Sequence, residues 1–234
     1  MSLRRAGTGR TIGIVSTIND PQLPALQAAQ AADSPTGHWL MQETGGTTMV
    51  DSSGNGYDGT YTSCTVGQAA IASNGTYSVS TSAGIASVPF GAWMNAASFT
   101  IEVLCYPTNT APFLGIAGKF NTEYWTWSND GIGAYVSTTA GAVNHTGGGG
   151  LSNNVAYLLG MRVSAGASVS FWKNGIRVVN DATAGDGYSH GTALKFLSSS
   201  GGYGYIGRQS FAAFYTTAVS DARLLAHAQA AGLA

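Results

Sequence analysis

The sequence contains few charged residues, and this scarcity limits what the protein can be. Asp, Glu, Lys and Arg make up 9% of its 234 residues, and the net charge is −1, whereas soluble proteins typically carry about 25%. So neutral a chain predicts no affinity for nucleic acid or for anionic membranes. Because 44% of the residues are hydrophobic, low charge also argues against a disordered chain. We expect a folded protein whose surface is mainly Ser, Thr, Asn and Gly.

Long apolar runs and cysteines are scarce as well. No apolar run reaches the ~18 to 20 residues that a transmembrane helix needs, so no membrane span is predicted. The two cysteines are Cys64 and Cys105, and their spacing fits no metal site. Both lie in strand-like runs. They are interpreted either as two buried free thiols or as one disulfide between strands.

The sequence also lacks the paired acids of a glycan hydrolase. Such enzymes place two carboxylates across a cleft, commonly as Glu-x-Asp-x-x-Glu on one strand. Here Glu102 is alone on its strand, and Glu43, Glu123 and Asp130 are scattered. No histidine lies near a nucleophile-elbow motif. We therefore predict a protein without catalytic activity, in which Glu102 is a hydrogen-bonded or solvated residue of a sheet face.

Glycine, by contrast, is abundant, with 33 residues scattered between short apolar runs. Alternation and turn residues predict strands at 61–66, 77–79, 85–89, 98–107, 113–120, 124–127, 131–138, 155–163, 169–173, 176–179, 193–197, 203–206 and 210–215. The Asn174-Gly175 pair is the strongest hairpin signal, since a type I′ turn requires positive φ at both positions. About a dozen short strands at this density predict an all-β sandwich.

Two short helices are predicted to flank the strands. Asp20-Pro21 is expected to begin the first, with a body at 23–32. Ser220 is expected to cap the second, at 221–231, with an apolar stripe of Leu224, Leu225 and Ala228. The predicted division is an extended arm (1–19), a short helix and linker (20–36), a sandwich (37–219) and a C-terminal helix packing on it (220–234).

Several segments resemble a known family in its motif order. They are HWLMQETGGTTMVDSSGNGYDGT (38–60), SFTIEVLCYP (98–107), AGK (117–119), VSFWKNG (169–175) and AFYTTAVSD (213–221). Together they resemble the laminin-G-like branch of the concanavalin A-like lectin/glucanase superfamily, common in phage virion proteins and bacterial surface proteins. The resemblance spans residues 33–232. It implies a two-sheet antiparallel jelly-roll with glycan binding on the open face of the curved sheet. Leu104 and Tyr157 depart from the family's Trp and His, which would reduce that binding surface.

A cluster of aromatic and polar residues predicts a glycan platform. Trp125 and Trp127 lie two apart on a predicted strand and hence on one face, preceded by Tyr124 and followed by Asn129 and Asp130. Aromatic rings with nearby amides and carboxylates bind the apolar faces and hydroxyls of sugars. The alternative is that both indoles belong to the core.

A polar loop predicts a possible structural calcium site. Asp51, Asn55 and Asp58 supply hard oxygen ligands within one loop, although their spacing is not that of an EF-hand. The alternative is a loop that hydrogen-bonds its own backbone. The family resemblance adds that members often bind calcium at this rim.

The N-terminal arm is predicted to anchor the protein to a partner. It combines basic and β-branched residues, and an extended apolar segment of this kind suits strand addition to another chain's sheet. The residues expected to do this are Arg4, Arg5, Arg10, Ile12, Ile14, Val15 and Ile18. The alternative is a leader without a partner.

Three function classes therefore remain open. The first is a non-enzymatic structural or display protein at the virion surface, a capsid decoration or tail component. Its arm would bind other structural proteins in an oligomeric assembly, and its sandwich would bind host glycans. The second is a free lectin, either secreted or on the bacterial cell surface. The third is a glycan hydrolase.

Overall fold

The computed structural model shows two antiparallel β-sheets packed face to face, with two short α-helices. The jelly-roll sandwich predicted from the sequence is confirmed. The structure describes residues 24–72, 74–110, 114–119, 124–138, 141–181, 193–198 and 204–234. The predicted anchoring arm, with Arg4, Arg5, Arg10 and Ile12 to Ile18, lies outside the described residues.

Among the described residues, the sheets are built from sixteen strands, most of them short. In chain order they are β1 (Gly37–Trp39), β2 (Thr48–Met49), β3 (Gly59–Thr62), β4 (Thr65–Ile71), β5 (Asn74–Thr81), β6 (Ile85–Val88), β7 (Phe99–Pro107), β8 (Leu114–Lys119), β9 (Tyr124–Trp127), β10 (Ile132–Thr138), β11 (Gly141–Gly147), β12 (Tyr157–Ser164), β13 (Ser168–Lys173), β14 (Ile176–Asp181), β15 (Leu194–Phe196) and β16 (Gly207–Tyr215). The helices are α1 (Ala25–Ala31) and α2 (Asp221–Ala230), and Ala92–Asn95 forms a 3-10 turn.

Within the described ranges, each sheet contains eight strands. The first sheet has the order β14-β13-β12-β7-β16-β5-β4, with β1 added beside β16, and the second has the order β11-β10-β9-β8-β15-β6-β3-β2. Strand β11 was not predicted, because its sequence GAVNHTG places its two apolar residues, Ala142 and Val143, next to each other and so lacks an apolar alternation. It pairs along its whole length with β10, so the segment is a strand because of this pairing and not because of its own sequence pattern.

The central strand β7 is buried on both faces. Phe99, Ile101 and Val103 enter the core between the sheets, as their alternation predicted. Glu102 and Leu104, on the opposite face, are also buried, because the two helices cover this side of the first sheet. Leu104 therefore lies beneath the helices and not on an open face of the sheet.

The two helices form the covering layer of the first sheet. The described part of helix α1 begins at Ala25, directly after Pro24, and the start predicted at Asp20-Pro21 lies outside the described residues. Helix α2 begins as predicted, with the Ser220 side chain accepting a hydrogen bond from the Arg223 N–H. Its buried stripe is narrower than predicted, because Leu225 is 39% exposed.

The Asn174-Gly175 turn joins β13 to β14, as predicted. Both residues have positive φ, 52° and 75°. A Cβ on Gly175 would lie 2.8 Å from the Leu225 Cα, so glycine permits both the turn and the close approach of α2. This hairpin therefore helps to position the helix layer.

Both cysteines are free thiols, as in the first of the two interpretations, although only one of them is fully buried. Cys105 is buried and Cys64 is half-buried, and burial raises the pKa of both thiols above the ordinary value. Among the described residues, no helix combines the length and apolar character that crossing a membrane requires.

Candidate functional site

The two tryptophans of the predicted glycan platform lie in the core. Trp125 and Trp127 are fully buried between the sheets, and the Trp127 Nε1–H donates to the Gly149 carbonyl at 2.9 Å. The platform prediction is therefore wrong for these rings. Asn129 and Asp130 are exposed in the turn that follows β9. Tyr124 is paired with Tyr135 through the backbone, and its side chain lies outside the described part of the structure.

The predicted calcium loop is organised by its own hydrogen bonds. The Asp51 carboxylate accepts from the backbone N–H groups of His38, Ser53 and Tyr57 at 2.9 Å each and from the Ser53 hydroxyl at 2.8 Å. One Asp58 carboxylate oxygen accepts from the Asp51 N–H at 2.8 Å. Burial alone would raise the pKa of Asp51, but these hydrogen bonds outweigh it and lower the pKa below its usual range.

The third predicted ligand also serves the loop. The Asn55 amide donates to the Thr36 carbonyl at 3.0 Å, which ties the loop to the strand before it. Within the described ranges, no group of three or more His, Cys, Asp or Glu side chains is arranged to hold a metal ion. The hydrogen bonds favour the self-bonded interpretation of the loop, and the calcium site stays a prediction.

A partly buried polar cluster, which we call the His227 cluster, joins the helices to the first sheet. It consists of Glu102, His227, Asp33 and Arg223. The His227 Nδ1 lies 2.7 Å from a Glu102 carboxylate oxygen, and its Nε2 lies 2.9 Å from Asp33. The Arg223 guanidinium donates to both Asp33 oxygens at 2.8 and 2.9 Å. Two carboxylates therefore enclose one imidazole beneath the helices.

The charges of the His227 cluster favour the protonated form of the imidazole. Burial by itself lowers the pKa of His227, but the hydrogen bond and charge of Glu102, together with the charge of Asp33, outweigh burial and raise it. Burial instead lowers the pKa of the nearby His38 to about 4. Because His227 and Glu102 are 0% and 2% exposed, no substrate reaches them. We assign the cluster to stability rather than catalysis.

An open cleft lies on the part of the first sheet that the helices leave uncovered. This polar cleft has a volume of about 450 Å³. Its lining includes Thr65, Gln68, Ser80, Thr81, Thr108 and Arg208. No Asp or Glu is among the described residues that line it. Hydroxyls, an amide and a guanidinium can bind a polar ligand, but they supply no acid–base pair.

Strand register aligns the principal residues of the polar cleft. Tyr106 is opposite Arg208, Arg208 is opposite Ser80, and Ser80 is opposite Thr65 across β7, β16, β5 and β4. The row begins on the outer face, because Cys105 beside Tyr106 points into the core. Residues opposite one another on neighbouring strands lie close enough to contact a common ligand.

The Arg208 guanidinium is held in a fixed position. It lies over the Tyr106 ring, 4.3 Å from the centroid, and its Nη1 donates to the carbonyls of Ala69 and Ala70 at 2.6 and 3.4 Å. The chain beside it is equally constrained, because a Cβ on Gly207 (φ 145°) would lie 2.3 Å from the Tyr106 carbonyl oxygen. Close backbone packing therefore holds the chain beside Arg208 in place.

Sequence reasoning missed this cleft for an identifiable reason. Its residues come from separate strands and loops, so no local spacing connects them. The one available signal was Tyr106, at the polar end of the clearest predicted strand. The register that brings it to Arg208, about a hundred residues later in the chain, is a tertiary property.

No family model matches the sequence, and no curated protein matches it. Solved structures share the fold at low identity. Domain 4 of AbnA, a GH43 extracellular arabinanase from Geobacillus stearothermophilus in complex with arabinotriose, has a TM-score of 0.64 and 13% identity, covering 84% of this chain and 98% of that one. The binding domain of Paraclostridial Mosquitocidal Protein 1 has a TM-score of 0.63 and 11% identity, covering 84% of this chain and 52% of the other.

A third similar structure is Trypanosoma rangeli sialidase in complex with the inhibitor DANA. Its TM-score is 0.58 at 10% identity, and the match covers 81% of this chain and 32% of the sialidase. The chain thus spans about half of the mosquitocidal structure and about a third of the sialidase. At these identities the similarity shows the fold alone, a two-sheet β-sandwich.

Proposed function

We propose that the protein is a non-enzymatic carbohydrate-binding module and that the polar cleft is its binding site. The observation that carries this proposal is the cleft's lining, which combines Ser, Thr and Gln side chains with a fixed guanidinium. Sugars present many hydroxyls that both donate and accept hydrogen bonds, and hydroxyl and amide side chains can do the same. A volume of about 450 Å³ also lies within the range of about 300 to 1,000 Å³ found for ligand pockets.

The placement of the acids supports binding without hydrolysis. A glycosidase needs two carboxylates facing the scissile bond. Glu102 is buried and bound to His227, and Asp51 is bound by its own loop. Among the described residues that line the polar cleft, none is acidic. A module that binds glycan and leaves it intact fits this arrangement.

The context proposed for this module comes from the sequence. The resemblance to laminin-G-like domains of virion and bacterial surface proteins, and the basic and β-branched arm at 1–19, support display on a phage virion as a decoration or tail component. In that setting the arm would bind neighbouring structural proteins. Deleting residues 1–19 tests this, because lost assembly with an intact soluble sandwich favours anchoring. Unchanged assembly favours the alternative of a free, secreted or cell-surface lectin.

A steric block tests the cleft as the binding site. Thr65 lies in the cleft and is exposed, and the variant Thr65→Trp fills the cleft with an indole. Thr60 is an exposed threonine of β3 on the second sheet, so Thr60→Trp is the matched control. On a glycan array we expect the control to bind as the wild type does and Thr65→Trp to lose at least about tenfold in affinity, or about 1.4 kcal/mol.

Three outcomes decide the proposal. Binding lost in Thr65→Trp alone supports it, provided that both variants melt at similar temperatures. Equal binding by Thr65→Trp and the wild type would move the site away from the cleft. Failure of the wild type to bind any glycan on a broad array, or release of reducing ends from a bound glycan, would overturn the proposed function itself.

A further inference from the structure

We infer that the polar cleft selects a glycan bearing a carboxylate, a uronic or sialic acid residue, and that Arg208 is the residue that binds it. This inference rests on the carbohydrate-binding function proposed above. It adds the class of sugar, which follows from the charge and the geometry of the cleft.

The charge of the polar cleft favours an anionic ligand. Arg208 is the one charged residue among the described residues that line the cleft, and it forms no ion pair with a described acidic residue. Arginine stays protonated at any ordinary pH. The cleft therefore presents a single positive charge surrounded by neutral polar groups, and a ligand with one negative charge would complement it.

The orientation of the Arg208 guanidinium favours a carboxylate. The described hydrogen bonds of Arg208 both come from Nη1, which donates to the carbonyls of Ala69 and Ala70. The edge formed by Nε and Nη2 therefore has no partner among the described residues. Guanidinium edges of this kind bind carboxylates through two parallel hydrogen bonds. Since the Tyr106 ring and the carbonyls already fix the group, little conformational freedom is lost on binding.

The residues beside Arg208 favour a ligand that also carries hydroxyls. Ser80 is opposite Arg208, and Thr65 is opposite Ser80, so hydroxyls lie in a row beside the cation. A ligand with only a charge would leave this row unused, whereas an acidic sugar carries a carboxylate and ring hydroxyls together. Charge-assisted hydrogen bonds are about twice as strong as neutral ones, so a neutral sugar would bind the same row more weakly.

The test compares acidic glycans with chemically matched neutral ones. Each uronic- or sialic-acid oligosaccharide in the panel is paired with its carboxyl-reduced form, in which a CH₂OH group replaces the carboxylate. Affinities are measured by isothermal titration calorimetry at low and physiological salt. For the wild type we expect the acid form to bind at least about tenfold more tightly, as loss of a charged hydrogen bond implies. We also expect this preference to shrink as salt increases.

Two variants assign the preference to Arg208. Arg208→Gln should bind the acid and reduced forms equally, with an affinity near that of the wild type for the reduced form. Arg208→Lys keeps the charge but loses the planar edge, so it should retain part of the preference. Melting temperatures of both variants are measured, because Arg208 also donates to two carbonyls. Arg177→Gln, which changes an arginine outside the cleft, serves as the charge control.

The outcomes separate this inference from the proposed function. Equal binding of acid and reduced forms, with both lost in Thr65→Trp, would keep the carbohydrate site and overturn the acidic selectivity. An acid preference that survives in Arg208→Gln would overturn the assignment to Arg208. Tighter binding of sulfated glycans than of their carboxylated counterparts would overturn the carboxylate as the ligand. A wild type that binds neither acidic nor neutral glycans would overturn the proposed function.

Discussion

The His227 cluster yields the sharpest stability prediction. Glu102→Gln retains the size of the side chain and its place on β7, but it removes one of the two negative charges that face His227. The pair is deeply buried, with side-chain exposures of 2% for Glu102 and 0% for His227. The variant therefore tests the electrostatic role of the cluster with little change in packing.

The expected loss follows from burial. Removing one partner of a buried ion pair costs about 3 to 5 kcal/mol, because the other charge is left uncompensated. We expect about 3 kcal/mol for Glu102→Gln, at the lower end of that range, since Asp33 still faces His227 at 2.9 Å. A double variant that also carries His227→Gln should lose less than the sum of the two single variants, because no unpaired charge remains.

The stability that His227 contributes depends on pH. The folded-state pKa of His227 is raised above 6.5, so the folded protein binds the proton more tightly than the unfolded chain does. This contribution is fully present below pH 6.5 and is lost as the pH rises through the folded pKa. Glu102→Gln removes the hydrogen bond and charge that raise this pKa, so its stability should fall less over the same pH interval.

Guanidinium chloride unfolding followed by tryptophan fluorescence, at several pH values from 6 upward, measures both effects. Arg177→Gln is the control, because its Nη1 is 3.9 Å from Asp221 and both side chains are about half exposed. That variant should lose about 1 kcal/mol or less. A Glu102→Gln protein that loses no more than the control, and that keeps the wild-type pH profile, would refute this account.

Four further predictions concern Trp125 in the core, the turn at Gly175, the imidazole of His38 and the loop around Asp51. Trp125→Ala should lose about 3 to 5 kcal/mol in chemical unfolding through the cavity it creates, while glycan binding by the folded fraction stays unchanged; weakened binding would return Trp125 to the binding surface. Gly175→Ala should lower the melting temperature, since a left-handed φ costs about 1 to 2 kcal/mol and the added Cβ meets Leu225; a neutral result would contradict the close approach. The pKa of His38 is lowered to about 4, so its contribution is present above pH 6.5 and is lost as the pH falls toward 4, by about 3 kcal/mol. Unfolding of His38→Gln should lack that acid-side loss, and an identical acid profile would count against it. Added calcium should not raise the melting temperature, because the Asp51 carboxylate already accepts four hydrogen bonds; a calcium-dependent increase would instead support the predicted metal site.

The covering layer of the first sheet shows where sequence reasoning reached its limit. Alternation along β7 correctly separated Phe99 and Ile101 from Glu102 and Leu104. It gave no sign that the second face is also covered, because that depends on helices about 70 residues before Glu102 and about 120 residues after it. The same holds for Trp125 and Trp127, since their spacing placed them on one face without indicating which face is the core.

What the sequence determined by itself was local. Period-two alternation, glycine-rich turns, the Asn174-Gly175 pair and the Ser220 cap each act within a few residues, and they were enough to predict a β-sandwich with a C-terminal helix. The tertiary structure decided which face each strand buries and which distant side chains meet. The His227 cluster and the polar cleft around Arg208 are products of strand register and helix docking, in which contacts form between residues that are far apart along the chain.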